Sequence, residues 1–188
     1  MRIIAGDYKG KKILQPKDKL TRPLKDLTKE SIFNIINHSN LIDINLKKSN
    51  ILDLFSGVGS FGLECVSRGA LNVVFFENYP NAVKVLKLNI LKINAQNKVN
   101  VYEKDLFMQK SLDVLSQKFK IIFIDPPFKE TKLNYLIKRI YKLNLLEKNG
   151  VLIIHRHKKD RDVFPVEFKM IINKTYGISK IIFLSILN

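Results

Sequence analysis

Two short segments of this chain combine residue types that can do chemistry. The first is Asp125-Pro126-Pro127-Phe128. Consecutive prolines fix their φ angles and lack N–H groups, so they cannot continue a central strand and instead hold a rigid turn. Such rigidity suits transfer of a methyl group to an exocyclic amine, a poor nucleophile whose lone pair is conjugated into its ring. If Asp125 and the Pro126 carbonyl each accept one N–H, the nitrogen can pyramidalise and aim its lone pair at the methyl. Phe128 would stack on the base. No strong general base is required, because the proton becomes acidic once the methyl has transferred. An isolated Asp-Pro-Pro-Phe reads more simply as a turn with a buried Phe; its place after the apolar run Lys120 to Ile124 favours the chemical reading.

The second segment, Asp53-Leu54-Phe55-Ser56-Gly57-Val58-Gly59-Ser60-Phe61-Gly62, contains a literal G-x-G-x-x-G, and Glu77 follows Gly57 by twenty residues. That pattern matches a dinucleotide fingerprint. Asp53 argues against it, since a carboxylate aimed at the loop opposes a pyrophosphate and favours a cation. S-adenosylmethionine is such a ligand, with a sulfonium, an ammonium and no phosphate. Gly57 and Gly59 would let the backbone approach it closely, and Glu77 would accept from both ribose hydroxyls. Asp105-Leu106 follows a third apolar run, where Asp105 can accept from the adenine amino group and Leu106 or Phe107 can pack on the ring. On spacing alone, a solvated loop carboxylate is an equal reading of Asp105.

These residues need a scaffold that brings them together. Apolar runs at Ile51 to Phe55, Val73 to Phe76, Val99 to Tyr102, Ile121 to Ile124 and Val151 to Ile154 read as buried strands. Between them lie helical spacings, clearest in Val83, Leu86, Ile90 and Ile93, with Lys84, Lys87 and Lys92 off that face. About five strand–helix repeats predict an α/β, mostly parallel sheet with helices on both faces and ligands bound beyond the carboxyl ends of the strands. Phe168 to Asn173 and Ile178 to Leu187, separated by Tyr176-Gly177, predict a closing antiparallel hairpin. Residues 1–48 read as a basic N-terminal extension docked on the core, with Leu27, Ile32, Ile35 and Ile36 on the inner side of a helix; residues 49–188 form the main domain.

The chain has 188 residues, 46% of them hydrophobic, with twelve Phe and six Tyr: enough for one packed core. No apolar run approaches the roughly 18 residues that span a bilayer, so a cytoplasmic protein is expected, monomeric by default. Cys65 is the only cysteine, which excludes an intramolecular disulfide, and reads as a small buried residue. Thirty-three basic residues against seventeen acidic ones give a net charge of +16, a field that attracts nucleic acid. Part of it reflects a Lys-rich composition, but residues 1–29 concentrate nine basic and three acidic side chains.

Asp53-x-Phe55-x-Gly57-x-Gly59 followed by Asp125-Pro126-Pro127-Phe128 resembles the class I amino-methyltransferases, which act on adenine N6, guanine N2 or glutamine amide nitrogen. A narrower set is similar to the bacterial 16S ribosomal RNA guanine-N2 methyltransferases. It comprises Arg2-Ile3-Ile4-Ala5-Gly6 with Lys9-Gly10-Lys11-Lys12, Thr21-Arg22-Pro23, Lys29-Glu30-Ser31-Ile32-Phe33-Asn34, and Gly62-Leu63-Glu64 with Ser67-Arg68-Gly69-Ala70. The resemblance spans nearly the whole chain. It implies a Rossmann-like seven-stranded sheet, S-adenosylmethionine as donor, and one guanine of the 16S RNA of the small ribosomal subunit as acceptor. It puts Asp53, Phe55, Gly57, Gly59, Glu77, Asp105 and Leu106 around the cofactor and Asp125 to Phe128 around the base. Arg2, Lys9, Lys11, Lys12, Arg22 and Lys25 then face RNA, with the cofactor carboxylate an alternative partner for Arg22.

The chain departs from that pattern at Leu24-Lys25-Asp26, which replaces a more Thr-rich stretch, and at His155, where relatives commonly carry an acid. His155 and His157 read as surface residues beside Arg156 and Lys158, with no metal site implied, and the His155 change is expected to affect only local RNA contacts. Two other functions compete: an amino-methyltransferase acting on adenine or protein glutamine, and a non-catalytic basic RNA-binding assembly protein.

Overall fold

Near-continuous apolar runs mark strands buried on both faces. The computed structural model, which describes residues 1–18 and 24–187, pairs them into one seven-stranded sheet. The strands are β1 (Asn50–Leu54), β2 (Asn72–Phe76), β3 (Val99–Tyr102), β4 (Phe119–Ile124), β5 (Leu146–His157), β6 (Phe168–Tyr176) and β7 (Ser179–Ile186), in the order β3-β2-β1-β4-β5-β7-β6. β1 to β5 are parallel, and β7 pairs antiparallel with both β5 and β6, forming the expected hairpin. Its turn is Gly177-Ile178, one residue later than the sequence suggested. Strand order reverses between β1 and β4, the position at which open α/β sheets leave a crevice for ligands.

Side chains alternate along a strand, so the register sorts the sheet by parity. Ile51, Val73, Ile121 and Val151 pack with α1 (Asp26–His38), α2 (Ser60–Ser67) and α3 (Pro80–Lys92). Leu52, Val74, Ile122 and Leu152 pack with α4 (Leu133–Lys142) on the opposite face. α3 buries Val83, Leu86 and Ile90 as its spacing predicts, with Ile93 buried just beyond. α1 buries Ile32, Ile35 and Ile36, but Leu27 is 70% exposed. Five residues before Ile32, at 3.6 residues per turn, it lies about 140° away from the buried stripe.

The strand–helix alternation fails once. Residues 103–118, between β3 and β4, form turns instead of a helix. This connection buries Leu106 and Leu112, and Arg139 of α4 donates to the carbonyls of Leu106 (3.1 Å) and Met108 (3.2 Å).

The N-terminal segment is tied to the helices. Ile3 and Ile13 are buried, and Arg2 bridges Lys12. Glu64 of α2, fully buried, accepts the N–H groups of Ile4 (2.7 Å) and Ala5 (2.9 Å) and the Arg68 Nε (2.9 Å). Lys29 of α1 donates to the Arg2 carbonyl (2.7 Å) and lies 3.5 Å from Glu64. Burial holds the Lys29 ammonium below its usual range, and the Glu64 charge opposes that shift. Asn89 of α3 accepts from the Leu14 N–H (2.8 Å) and donates to its carbonyl (3.2 Å). Thr21-Arg22-Pro23 lies outside the described residues. Cys65 is buried, which pushes its thiol pKa up. No helix of the described residues is long and apolar enough to cross a membrane.

Candidate active site

Register decides which side chains meet. Asp53 lies opposite Phe75 of β2 and Phe123 of β4, and Ile124 opposite Ile154 of β5. Asp53, Glu77, Asp125 and His155 therefore share one parity, and all four line a cavity of about 430 Å³ on the α1–α3 side of the sheet. Asp53 is 1% exposed. Its Oδ2 accepts the Gly62 N–H (2.9 Å), while no described group donates to its Oδ1. Burial holds this carboxyl well above the usual range, and the negative charges of Asp125 and Glu77 add to the effect against the Gly62 hydrogen bond.

The loop after β1 turns sharply. Phe55 sits at φ +56°, a conformation bulky residues rarely adopt. Its ring leaves the strand to meet Phe107, centroids 5.9 Å apart. Gly57 (φ +55°) has open space where a Cβ would be, and its N–H donates to Glu77 Oε2 (2.7 Å). Gly59 acts through packing, because a Cβ there would meet Leu86 Cδ1 at 2.4 Å. Glu77 Oε1 accepts the N–H groups of Asn78 (2.9 Å) and Tyr79 (2.8 Å). Three of its roughly four acceptor positions are thus taken by backbone, leaving one where two ribose contacts were expected. Asp105 and Phe107 both line the cavity, and Asp105 Oδ1 accepts the Phe107 N–H (2.8 Å). This tight turn sends Leu106 the other way: it is 3% exposed and packed in the core on the α4 side, so of the two ring-packing candidates only Phe107 reaches the cavity.

Asp125-Pro126-Pro127-Phe128 leaves β4 directly into the cavity wall. The Asp125 N–H donates to the Leu54 carbonyl (3.3 Å), and the Pro127 carbonyl accepts the Glu130 N–H (2.9 Å), which pins both ends of the turn. The half-buried Phe128 ring meets His157 edge-on at 5.4 Å and His155 at 6.5 Å. His155 is not a surface residue: it is 6% exposed, with Nδ1 2.8 Å from Asp125 Oδ1 and Nε2 2.9 Å from Ser179 Oγ. The substitution thus falls inside the cavity and not among peripheral contacts. Arg156 is buried too, paired with Asp160 (3.2 Å) and Asp162 (3.0 Å). Among the described residues no group of three or more His, Cys, Asp or Glu could hold a metal ion.

Residues 1–185 match the family model described as Conserved hypothetical protein 95. The chain belongs to this family. Among its relatives, the ribosomal RNA small subunit methyltransferase D of Buchnera aphidicola subsp. Baizongia pistaciae is 35% identical over 156 residues, covering 83% of this chain and 76% of that protein. The protein of the same name from Haemophilus influenzae is 30% identical over 183 residues, 95% and 90% of the two chains. A solved structure from Haemophilus influenzae, provisionally described as a methylase, superimposes with a TM-score of 0.75 at 26% identity, covering 100% of this chain and 99% of that one. Its sheet and these relatives make the chain a Rossmann-like class I methyltransferase.

In this member of the family the cavity carries five carboxylates, Asp53, Glu77, Asp105, Asp125 and Glu130, and among the described residues no Lys or Arg. The basic residues that the sequence associates with RNA lie elsewhere. Arg2, Lys9, Lys11, Lys12 and Lys25 are exposed and none lines the cavity; Arg22 is outside the described residues. Met1, Gln15 and Leu24 of the same N-terminal stretch do line it. The sequence marks Leu24 only as part of a departure from the family pattern and gives no sign of Met1 or Gln15, because an uncharged side chain carries no chemical signal of its own.

Proposed function

We propose that the protein transfers a methyl group from S-adenosylmethionine to the exocyclic N2 amino group of a guanine in the 16S RNA of the small ribosomal subunit. The observation that carries this reading is the charge of the cavity: five carboxylates and no described Lys or Arg, within a chain of net charge +16. Such a pocket suits a cationic, phosphate-free ligand, and such an exterior suits a polyanion. The unpartnered Asp53 Oδ1 and the open space beside Gly57 fit the ammonium and the methionyl backbone of that ligand.

When bound, S-adenosylmethionine supplies an electrophilic methyl on its sulfonium. Glu77 has one acceptor position left for a ribose hydroxyl, and Asp105 would accept from the adenine amino group while Phe107 would cover the ring. Asp125 and the Pro126 carbonyl take the two N–H groups of the guanine amine and turn its lone pair toward the methyl, while Phe128 bounds the base plane. Asp125 would receive the proton that the nitrogen sheds once it carries the methyl. A guanine inside a duplex cannot enter this cavity, so the target is looped, single-stranded or flipped out.

Asp125→Ala tests the assignment. Turnover with small ribosomal subunits as substrate is expected to fall at least about 100-fold, with affinity for S-adenosylhomocysteine, measured by calorimetry, within about twofold of the parent. Undiminished transfer, or cofactor affinity falling in step with turnover, contradicts the role given to Asp125.

A further inference from the structure

His155 occupies a position where the fold alone would ask for nothing polar. It continues the run Val151-Leu152-Ile153-Ile154, all buried, and is itself buried. The register explains its neighbours. Ile124 pairs with Ile154, so His155 stands beside Asp125 at the next step of the parallel ladder. On its other side His155 pairs with Ile181 of β7, and Ser179, two residues back along that strand, points to the same face. The result is a chain of three side chains across three strands: Asp125 Oδ1 to His155 Nδ1 at 2.8 Å, and His155 Nε2 to Ser179 Oγ at 2.9 Å.

Both ring nitrogens are thus engaged, and Ser179 is 4% exposed. An ionised carboxylate only accepts hydrogen bonds. Nδ1 of His155 is therefore the donor to Asp125, and Nε2 and the Ser179 hydroxyl share the second hydrogen bond. Asp125 is the more open member, its side chain 21% exposed against 7% for His155, so the chain runs from the cavity into the core. A carboxylate at a cavity wall can rotate about its last torsion; one whose Oδ1 is held by a ring that is itself held from behind cannot.

We propose that His155, anchored by Ser179, is the positioning residue of the methyl-transfer site, occupying one oxygen of Asp125 so that the other accepts an N–H of the amine to be methylated. This rests on the reading of Asp125 given above. The effect belongs to turnover and not to affinity, because the held oxygen matters only when the amine is being aligned, and misplacement by about 1 Å can cost on the order of 100-fold in rate.

The test compares His155→Leu, His155→Asn, Ser179→Ala, Asp125→Asn and the double variant Asp125→Asn/His155→Leu in methyl transfer from S-adenosylmethionine to unmodified small ribosomal subunits. His155→Leu is expected to lower kcat about 10- to 100-fold, with KM for subunits and affinity for S-adenosylhomocysteine within about twofold. His155→Asn, whose amide can still donate to Asp125, recovers most of that loss, and Ser179→Ala falls between parent and His155→Leu. The double variant is no slower than Asp125→Asn alone, since His155 acts only through Asp125. An unchanged kcat in His155→Leu overturns the proposal, as does additivity in the double variant or an Asn variant no better than Leu. If the parent transfers methyl and Asp125→Ala does so equally well, the reading of Asp125 fails and this proposal falls with it. Dependence on Asp125 with indifference to His155 sinks the proposal alone.

Discussion

Asp53 is a carboxyl that the fold buries at a cost to its ionisation. Burial, with Asp125 and Glu77 nearby, raises its carboxyl well above the ordinary value of 3.8, so this group is harder to ionise in the folded chain than in the unfolded one. The stability from that difference is complete below pH 3.8 and is lost as pH rises through the raised value, because the unfolded chain ionises first. Asp53→Asn never ionises and escapes the loss. Its melting temperature relative to the parent, with no ligand added, is expected to become more favourable by several degrees from pH 4 to pH 8. If Asp53 supplies the carboxylate for the ammonium as proposed, affinity for S-adenosylmethionine should fall about tenfold or more, ~1.4 kcal/mol. Thermal melts across that range and calorimetric titration check both. A melting difference that does not change with pH would mean that Asp53 is already ionised in the fold.

At the scale of elements, α2 is the piece that everything leans on. It begins at the glycine loop, packs against β2, and through Glu64 holds the N-terminal segment. Gly62 makes the close packing possible: a Cβ there would lie 2.2 Å from Phe75 Cε1 and 2.9 Å from Val73 Cγ1, both fully buried. Since neither ring nor strand can yield freely, Gly62→Ala is expected to destabilise the fold by ~1–3 kcal/mol, read as a lower midpoint in urea with an unchanged m-value; an unchanged midpoint would show that the interface is looser than its distances imply. The third glycine of the loop thus serves helix–sheet packing, and only Gly57 faces the cavity. Strands were legible because burial on both faces leaves an uninterrupted apolar run, and α3 because its stripe repeats every three or four residues. The 103–118 connection was not, since its order comes from Asp105 and from Arg139 on a distant helix, which leave no period behind. His155 was missed for a related reason. A histidine after a strand looks the same whether solvated or buried, and its partners, 30 residues back and 24 residues on, become neighbours only when β4, β5 and β7 pair. The sequence shows Lys29 and Glu64 only as members of family-like motifs; both are fully buried beneath the N-terminal backbone.

Over the whole molecule, charge is divided by place. Exposed Lys and Arg are spread over the outer surface, from the N-terminal segment to β6, while the cavity between the carboxyl ends of β1, β2 and β4 is acidic. That division separates two tasks that would conflict in one spot: a basic cavity would repel a sulfonium, and an acidic exterior would repel RNA. The N-terminal segment joins the two regions, with Lys9, Lys11 and Lys12 outside and Met1, Gln15 and Leu24 at the cavity, and Glu64, Lys29, Ser67 and Asn89 fix it in that position. The measurement that tests the account most directly is transfer of labelled methyl from S-adenosylmethionine to small ribosomal subunits that lack the modification, followed by digestion to nucleosides and mass analysis. The account predicts a single product, N2-methylguanosine, in the 16S RNA. Label in N6-methyladenosine or in protein glutamine would contradict the assigned acceptor, and no transfer to subunits or free RNA, with cofactor binding intact, would contradict RNA methylation itself.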